Sequence, residues 1–186
     1  MKRCFEATLV EQCAPTLGGI KPASLFRFVG LKTARKAAQR WDRKLAPLGI
    51  RVTVLKECHQ RDAAVIYVYR RDWLERILQE ENSRAFLCET GYPATTVEGA
   101  LEHLSRRLCL ERDYPHEIGV FLGYPLEDVI GFIENRGQNF TCCGQWKCYG
   151  DPKAAQVCFA RYRACTDSYK RMYGQGVPIL QLVVAA

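Results

Sequence analysis

Apolar residues recur at helical spacing over residues 3–13, which predicts a short amphipathic helix ending before Ala14 and Pro15. Ala-Pro-Thr-Leu-Gly-Gly at 14–19 is a turn by composition. Residues 24–29 mix aromatic and polar groups and predict a strand, although Leu25, Phe26 and Phe28 leave its period open. Residues 31–48 form the clearest helix, running to Pro47 and closed by Gly49. Two runs rich in Val, Ile and Tyr, 50–56 and 63–69, flank a polar connection and predict an antiparallel strand pair.

Further along, helices are predicted at 72–81, 96–110 and 126–135. The short apolar run 118–122 reads as a buried strand, and 146–149 as another short strand. Asp151 followed by Pro152 is an N-cap with proline at the first helical position, opening a long helix to about Met172. Residues 180–184 read as a closing strand. Interleaved helices with adjacent strand pairs predict an α/β or α+β single domain over 1–186, with a small mixed sheet of about four to five strands packed by helices.

Composition narrows the class. A hydrophobic content of 48% with 25% charged residues is that of a folded globular chain. No apolar stretch approaches a membrane span, and Glu6 and Glu11 interrupt the segment after Met1-Lys2-Arg3, so no secretory signal is read. A cytoplasmic location is expected, with most of the ten cysteines as reduced thiols.

The excess positive charge is local. Residues 21–56 hold ten Lys or Arg against one Asp, a balance of +9 in a chain whose total is +7. On the 31–48 helix, Lys32, Arg35, Lys36, Gln39, Arg40 and Arg43 share one side, with Leu31, Ala34, Ala38, Trp41, Leu45 and Leu48 on the other. Such a face suits an acidic redox protein such as a flavodoxin, or it is simply a solvated surface. Nucleic-acid binding is disfavoured, since no aromatic platform or known module accompanies it.

Two segments echo each other: Gly-Tyr-Pro-Ala-Thr-Thr-Val-Glu-Gly at 91–99 and Gly-Tyr-Pro-Leu-Glu-Asp-Val-Ile-Gly at 123–131. Each is a turn feeding a helix, so the pair either lines one cleft or records two efficient helix starts. No Walker-type loop, Gly-x-Gly-x-x-Gly after a strand, or Gly-x-Ser-x-Gly elbow occurs, which argues against ordinary nucleotide hydrolysis, Rossmann dehydrogenases and α/β-hydrolases.

The block Pro115-His116-Glu117-Ile118-Gly119, Phe121-Leu122-Gly123-Tyr124-Pro125, Glu127-Asp128-Val129, Gly131-Phe132-Ile133, then Trp146-Lys147 and Tyr149-Gly150-Asp151, resembles an uncharacterised bacterial family. That family is the domain of unknown function family 3793. Cys13-Ala14-Pro15-Thr16-Leu17 with Lys21-Pro22-Ala23 resembles its N-terminal motif, and Arg163 with Cys165-Thr166 its C-terminal one. The resemblance spans nearly the whole chain and implies a protein of anaerobic bacteria, with no activity to carry over. It places Cys13, one cysteine of the Cys142-Cys143 pair, and Cys165 in the family pattern, while Cys148 stands where an aliphatic residue is usual.

Five cysteines fall within residues 142–165. Thiolates are nucleophiles and soft metal ligands, yet no Cys-x-x-Cys knuckle occurs. A metal site would need Cys13, Cys143 and Cys165 brought together by the fold; the competing reading is that these thiols fill the core. His116 and Glu117, with Tyr124 and Cys143, are the candidate catalytic groups, since a histidine beside carboxylates serves as base or ligand. The competing reading of His116 is a histidine that caps or orients a loop. Tyr124, Trp146 and Asp151 are candidate cofactor contacts, the last because a helix N-terminus receives anions. The functional expectation is a metal-, cofactor- or thiol-redox-associated small-molecule-binding protein, with iron, zinc, haem or flavin as candidate cofactors. The alternative is an adaptor docking an acidic partner through the basic helix.

Overall fold

The computed structural model describes residues 4–92, 96–110 and 114–185. Three antiparallel strands, β1 (Ala23–Val29), β2 (Ile50–Cys58) and β3 (Ala63–Arg70), form one sheet in the order β1-β3-β2. Ala23 pairs with Tyr69 across β1 and β3, and Ile50 pairs with Arg70 across β2 and β3, with a bulge between Val54 and Lys56. A separate two-stranded ribbon, β4 (Cys142–Cys143) and β5 (Lys147–Cys148), lies near the C-terminal end. The single sheet of four to five strands expected from the pattern is thus three strands plus a ribbon.

The sheet carries helices on both faces. Phe26, Phe28, Val52, Ile66 and Val68 pack against α1 (Phe5–Leu17) and α2 (Leu31–Leu45) through Phe5, Leu9, Ala34, Ala38 and Trp41. Tyr67, Tyr69 and Leu55 face the other way. They meet Leu74 of α3 (Arg71–Gln79), Leu87 of α4 (Glu81–Glu89), Leu104 of α5 (Val97–Leu110), Phe121 of α6 (Ile118–Phe121) and Val129 of α7 (Leu126–Glu134). The buried face of α2 is the one its spacing predicts. The long α8 (Pro152–Gly174) packs along α1. Among the described residues no helix is long and apolar enough to cross a membrane.

Four elements depart from the pattern. The first helix runs through Ala14 and Pro15 to Leu17, since proline so near the end removes one donor while Cys13, Ala14 and Leu17 are fully buried. The run expected as a strand at 118–122 is a helical turn, α6, buried along its whole length; a short apolar run has no period to separate the two. The closing strand at 180–184 is instead a 3-10 turn, Ile179–Gln181, after which Val184 N donates to Leu17 O at 3.0 Å. The helix expected at 72–81 breaks at Glu80, whose carboxylate accepts from the amides of Asn82 and Ser83 and so starts α4 as an N-cap.

Arg70 joins these parts. It is 1% exposed, and its guanidinium donates to Thr16 O (2.8 Å), Leu17 O (3.0 Å) and Val184 O (2.6 Å). Two of these are carbonyls of the last turn of α1, which lack intrahelical partners. Arg70→Met would remove all three bonds, leaving Leu17 O only Val184 N and Thr16 O only the long contact from Gly19 N. It is expected to cost about 3 kcal/mol, read as a lowered urea midpoint. Arg70→Lys should recover only a minor part of the loss, since an ammonium lacks the planar fork.

Candidate functional site

A cavity of about 340 Å³ opens between α7, the turn that precedes it, and the ribbon. His116, Tyr124, Phe132, Cys143, Trp146 and Lys147 are among the residues that line it. Four residues singled out from the sequence, His116, Tyr124, Cys143 and Trp146, therefore meet at one place. The turn is set by Gly123, at φ +72°, where an added Cβ would also run into the ring of Pro22. That close approach seats Tyr124 beside the N-terminal Lys21-Pro22 segment.

Asp128 on α7 holds the ribbon against the cavity. Its buried carboxylate accepts from Trp146 Nε1 (2.6 Å), Tyr149 N (2.6 Å) and Gly150 N (2.9 Å). One side chain thus fixes the indole and the backbone leaving β5. The indole stacks on Tyr124 at 4.8 Å and 26°, and meets Phe159 of α8 edge-on at 4.5 Å. Burial pushes the Tyr124 phenol up to about 12, and its hydroxyl donates to Gln145 O at 3.3 Å. His116 packs edge-on to Phe132 at 4.8 Å. Lys147 Nζ donates to Gly137 O at 2.6 Å and lies over the Phe140 ring at 4.8 Å.

Lys21 sits behind this aromatic wall. It is 7% exposed, with Nζ 5.3 Å from the Tyr124 ring centroid and 5.7 Å from that of Tyr162, and it faces rings where a buried ammonium would ordinarily face a carboxylate. Burial pushes it down to about 8, opposed by the neighbouring Cys13 and Cys158.

The other expected site residues lie elsewhere. Glu117 is buried beyond the cavity, accepting from Tyr92 Oη at 2.7 Å and paired with Arg107 at 2.7 Å, so it ties α6 to α5. Asp151 caps α8, accepting from Lys153 N at 2.8 Å, so its own carboxylate occupies the end where an anion was expected. Cys13 is fully buried in α1, where burial pushes its thiol far up against the opposing effects of Lys21 and Ser24. Cys165 lies half-buried on α8 beside Gly18, and burial raises its thiol too. Cys143 is exposed at the cavity, while its neighbour Cys142 packs with Cys148 and Phe159. The trithiol set is not assembled, and among the described residues no group of three or more His, Cys, Asp or Glu is placed to hold a metal ion.

The two Gly-Tyr turns do not share a cleft. Tyr92 packs on Phe121 at 5.4 Å and lines a separate hollow with Leu87 and Val97, while Pro93 lies outside the described residues. The basic face of α2 is partly neutralised, because Arg35 pairs with Glu57 and Arg40 with Glu6. Sequence reasoning missed Asp128 and Lys21 as organisers. Asp128 was visible only as one acid in a motif, and Lys21 only as a lysine before a proline.

An α/β protein with an aromatic cavity clamped by one carboxylate is the class these features define. Residues 9–183 match the model of the family described as Protein of unknown function (DUF3793), and the chain belongs to that family. No curated protein and no solved structure matches it.

Two substitutions test the site's construction. Asp128→Asn turns one acceptor into a donor against the indole N–H, and is expected to cost about 2 kcal/mol and shift Trp146 emission. Lys21→Met removes a buried charge. Below about pH 8 the folded wild type bears the cost of that charge, so the variant should be more stable by on the order of 2 kcal/mol. Between about 8 and 10.5 the unfolded chain holds a proton that the folded one has released, so wild-type stability rises with pH and the variant's advantage should shrink. Urea melts of both proteins from neutral to alkaline pH check the sign.

Proposed function

We propose that this chain is a small-molecule-binding protein whose cavity takes a planar heteroaromatic ligand of redox-active type, with a flavin ring as the model compound. The observation that carries the reading is the lining of a cavity of about 340 Å³ by Phe132 and the stacked pair Tyr124 and Trp146, a volume toward the small end of ligand sites. Flat rings favour stacked or edge-on contacts with a conjugated ligand. The cavity suits an isoalloxazine better than a whole haem. Lys147 and His116 supply cationic and hydrogen-bonding character at its edge, which fits a ligand with carbonyl or anionic substituents.

Cys143 is the thiol placed to meet such a ligand, since it is exposed and lines the cavity. His116 is the proton donor or acceptor within the same lining. Glu117, Asp151, Cys13 and Cys165 take structural roles in this account. The ten free thiols suit a reducing compartment, and we place the protein in the cytoplasm.

Titration with riboflavin and with haem, followed by ligand absorbance and protein fluorescence, tests the proposal. Riboflavin is expected to bind, to slow alkylation of Cys143, and to lose about tenfold in affinity in Trp146→Leu. No binding of riboflavin or related planar heterocycles at millimolar concentration would sink it.

A further inference from the structure

β1 is an open edge of the sheet: β3 pairs with one side of it and the strand order leaves the other side free. Among the described residues, no element other than β3 hydrogen-bonds to the backbone of residues 25–29. Along the free side runs a trough of about 950 Å³ whose wall includes every residue from 25 to 30. Side chains alternate across a strand, so a lining of consecutive residues presents the backbone edge itself. Phe5, Phe26 and Phe28 give the trough an apolar wall. It adjoins a second hollow of about 380 Å³, walled by Lys32, Lys36 and Arg40, and the two share Thr33, Ala37 and Arg40.

We propose that this trough takes an extended acidic peptide segment of a partner protein, which adds as a strand to β1 and sets its carboxylates against Arg27, Lys32 and Lys36. Main-chain pairing would supply affinity, and alternate side chains facing the phenylalanines and the cations would supply selectivity. Arg27, Lys32 and Lys36 are exposed, whereas Arg35 and Arg40 on the same helix are engaged by Glu57 and Glu6. Charge argues against a second copy as the occupant. Edge-to-edge pairing of two chains of net charge +7 would bring both sets of these cations together. Edge charges alone guard a strand against aggregation, but a guard needs no trough behind it.

The trough shares no lining residue with the ligand cavity. A fluorescent peptide alternating Val and Glu is titrated against the protein, beside a Val–Lys alternation and a backbone N-methylated Val–Glu peptide. The Val–Glu peptide is expected to bind and to slow hydrogen exchange at amides of residues 25–29. Lys32→Glu with Lys36→Glu should weaken it about tenfold, and added salt should weaken it further. N-methylation, which removes strand donors but keeps the side chains, should abolish it. Equal binding of the Val–Lys or N-methylated peptide, failure of Val–Glu to bind, or protection confined to other segments would overturn the proposal. So would a dimer in sedimentation that protects β1 without peptide, which would assign the edge to a second copy.

Discussion

The carboxylate of Asp128 is the constraint on which the site depends. A ribbon of two two-residue strands has little stability alone. It needs an anchor, and a buried carboxylate needs donors; each requirement meets the other in three hydrogen bonds to Trp146, Tyr149 and Gly150. Because one donor is the indole itself, the clamp that holds the ribbon also orients the principal aromatic surface of the cavity. Tyr124 and Phe159 then hold the same indole from its face and its edge.

The rest of the fold delivers the parts that Asp128 organises. The three-stranded sheet separates two apolar clusters, one under α1 and α2 and one under α3 to α7. Arg70 and Pro22 carry its end across to the site. Arg70 closes the last turn of α1, and Pro22 fills the space left open by Gly123. Between them Lys21 lies against Tyr124 and Tyr162. Two ring faces favour its charge by about 2 kcal/mol when desolvated, while burial opposes it. The wall of the cavity is therefore backed by a buried amine that joins the N-terminal segment to Tyr162 of α8.

Much of the scaffold was legible in the chain. The 31–48 pattern placed Leu31, Ala34, Ala38, Trp41, Leu45 and Leu48 inward. The first five are buried on α2, which stops at Leu45, while Leu48 is half-buried in the 3-10 turn that follows. The 50–56 and 63–69 runs formed the expected antiparallel pair. Asp151-Pro152 opened the long helix as its capping residues predict. The strands expected at 118–122 and 180–184 are helical turns because short apolar runs carry no period, and tertiary burial decides their form. At the site, residue types in one motif block led to His116, Tyr124, Cys143 and Trp146, since turn, helix and ribbon from that block fold onto one another. Cys13, Cys165 and Asp151 lie away from that cavity for a different reason. Whether thiols converge, or whether a carboxylate spends itself on its own helix end, depends on distances that no spacing encodes.

Asp128 presents Trp146 as one wall of the proposed ligand slot, and the indole N–H reports on it directly. The chain has three tryptophans, so its indole N–H groups give three resolvable signals in a proton–nitrogen correlation spectrum. The Trp146 N–H meets the buried Asp128 carboxylate at 2.6 Å, so its signal should shift in Asp128→Asn and respond to riboflavin. Trp41, whose N–H meets Glu6 at 3.2 Å, and Trp73 should stay in place. A Trp146 signal indifferent to both the substitution and the ligand would contradict this reading.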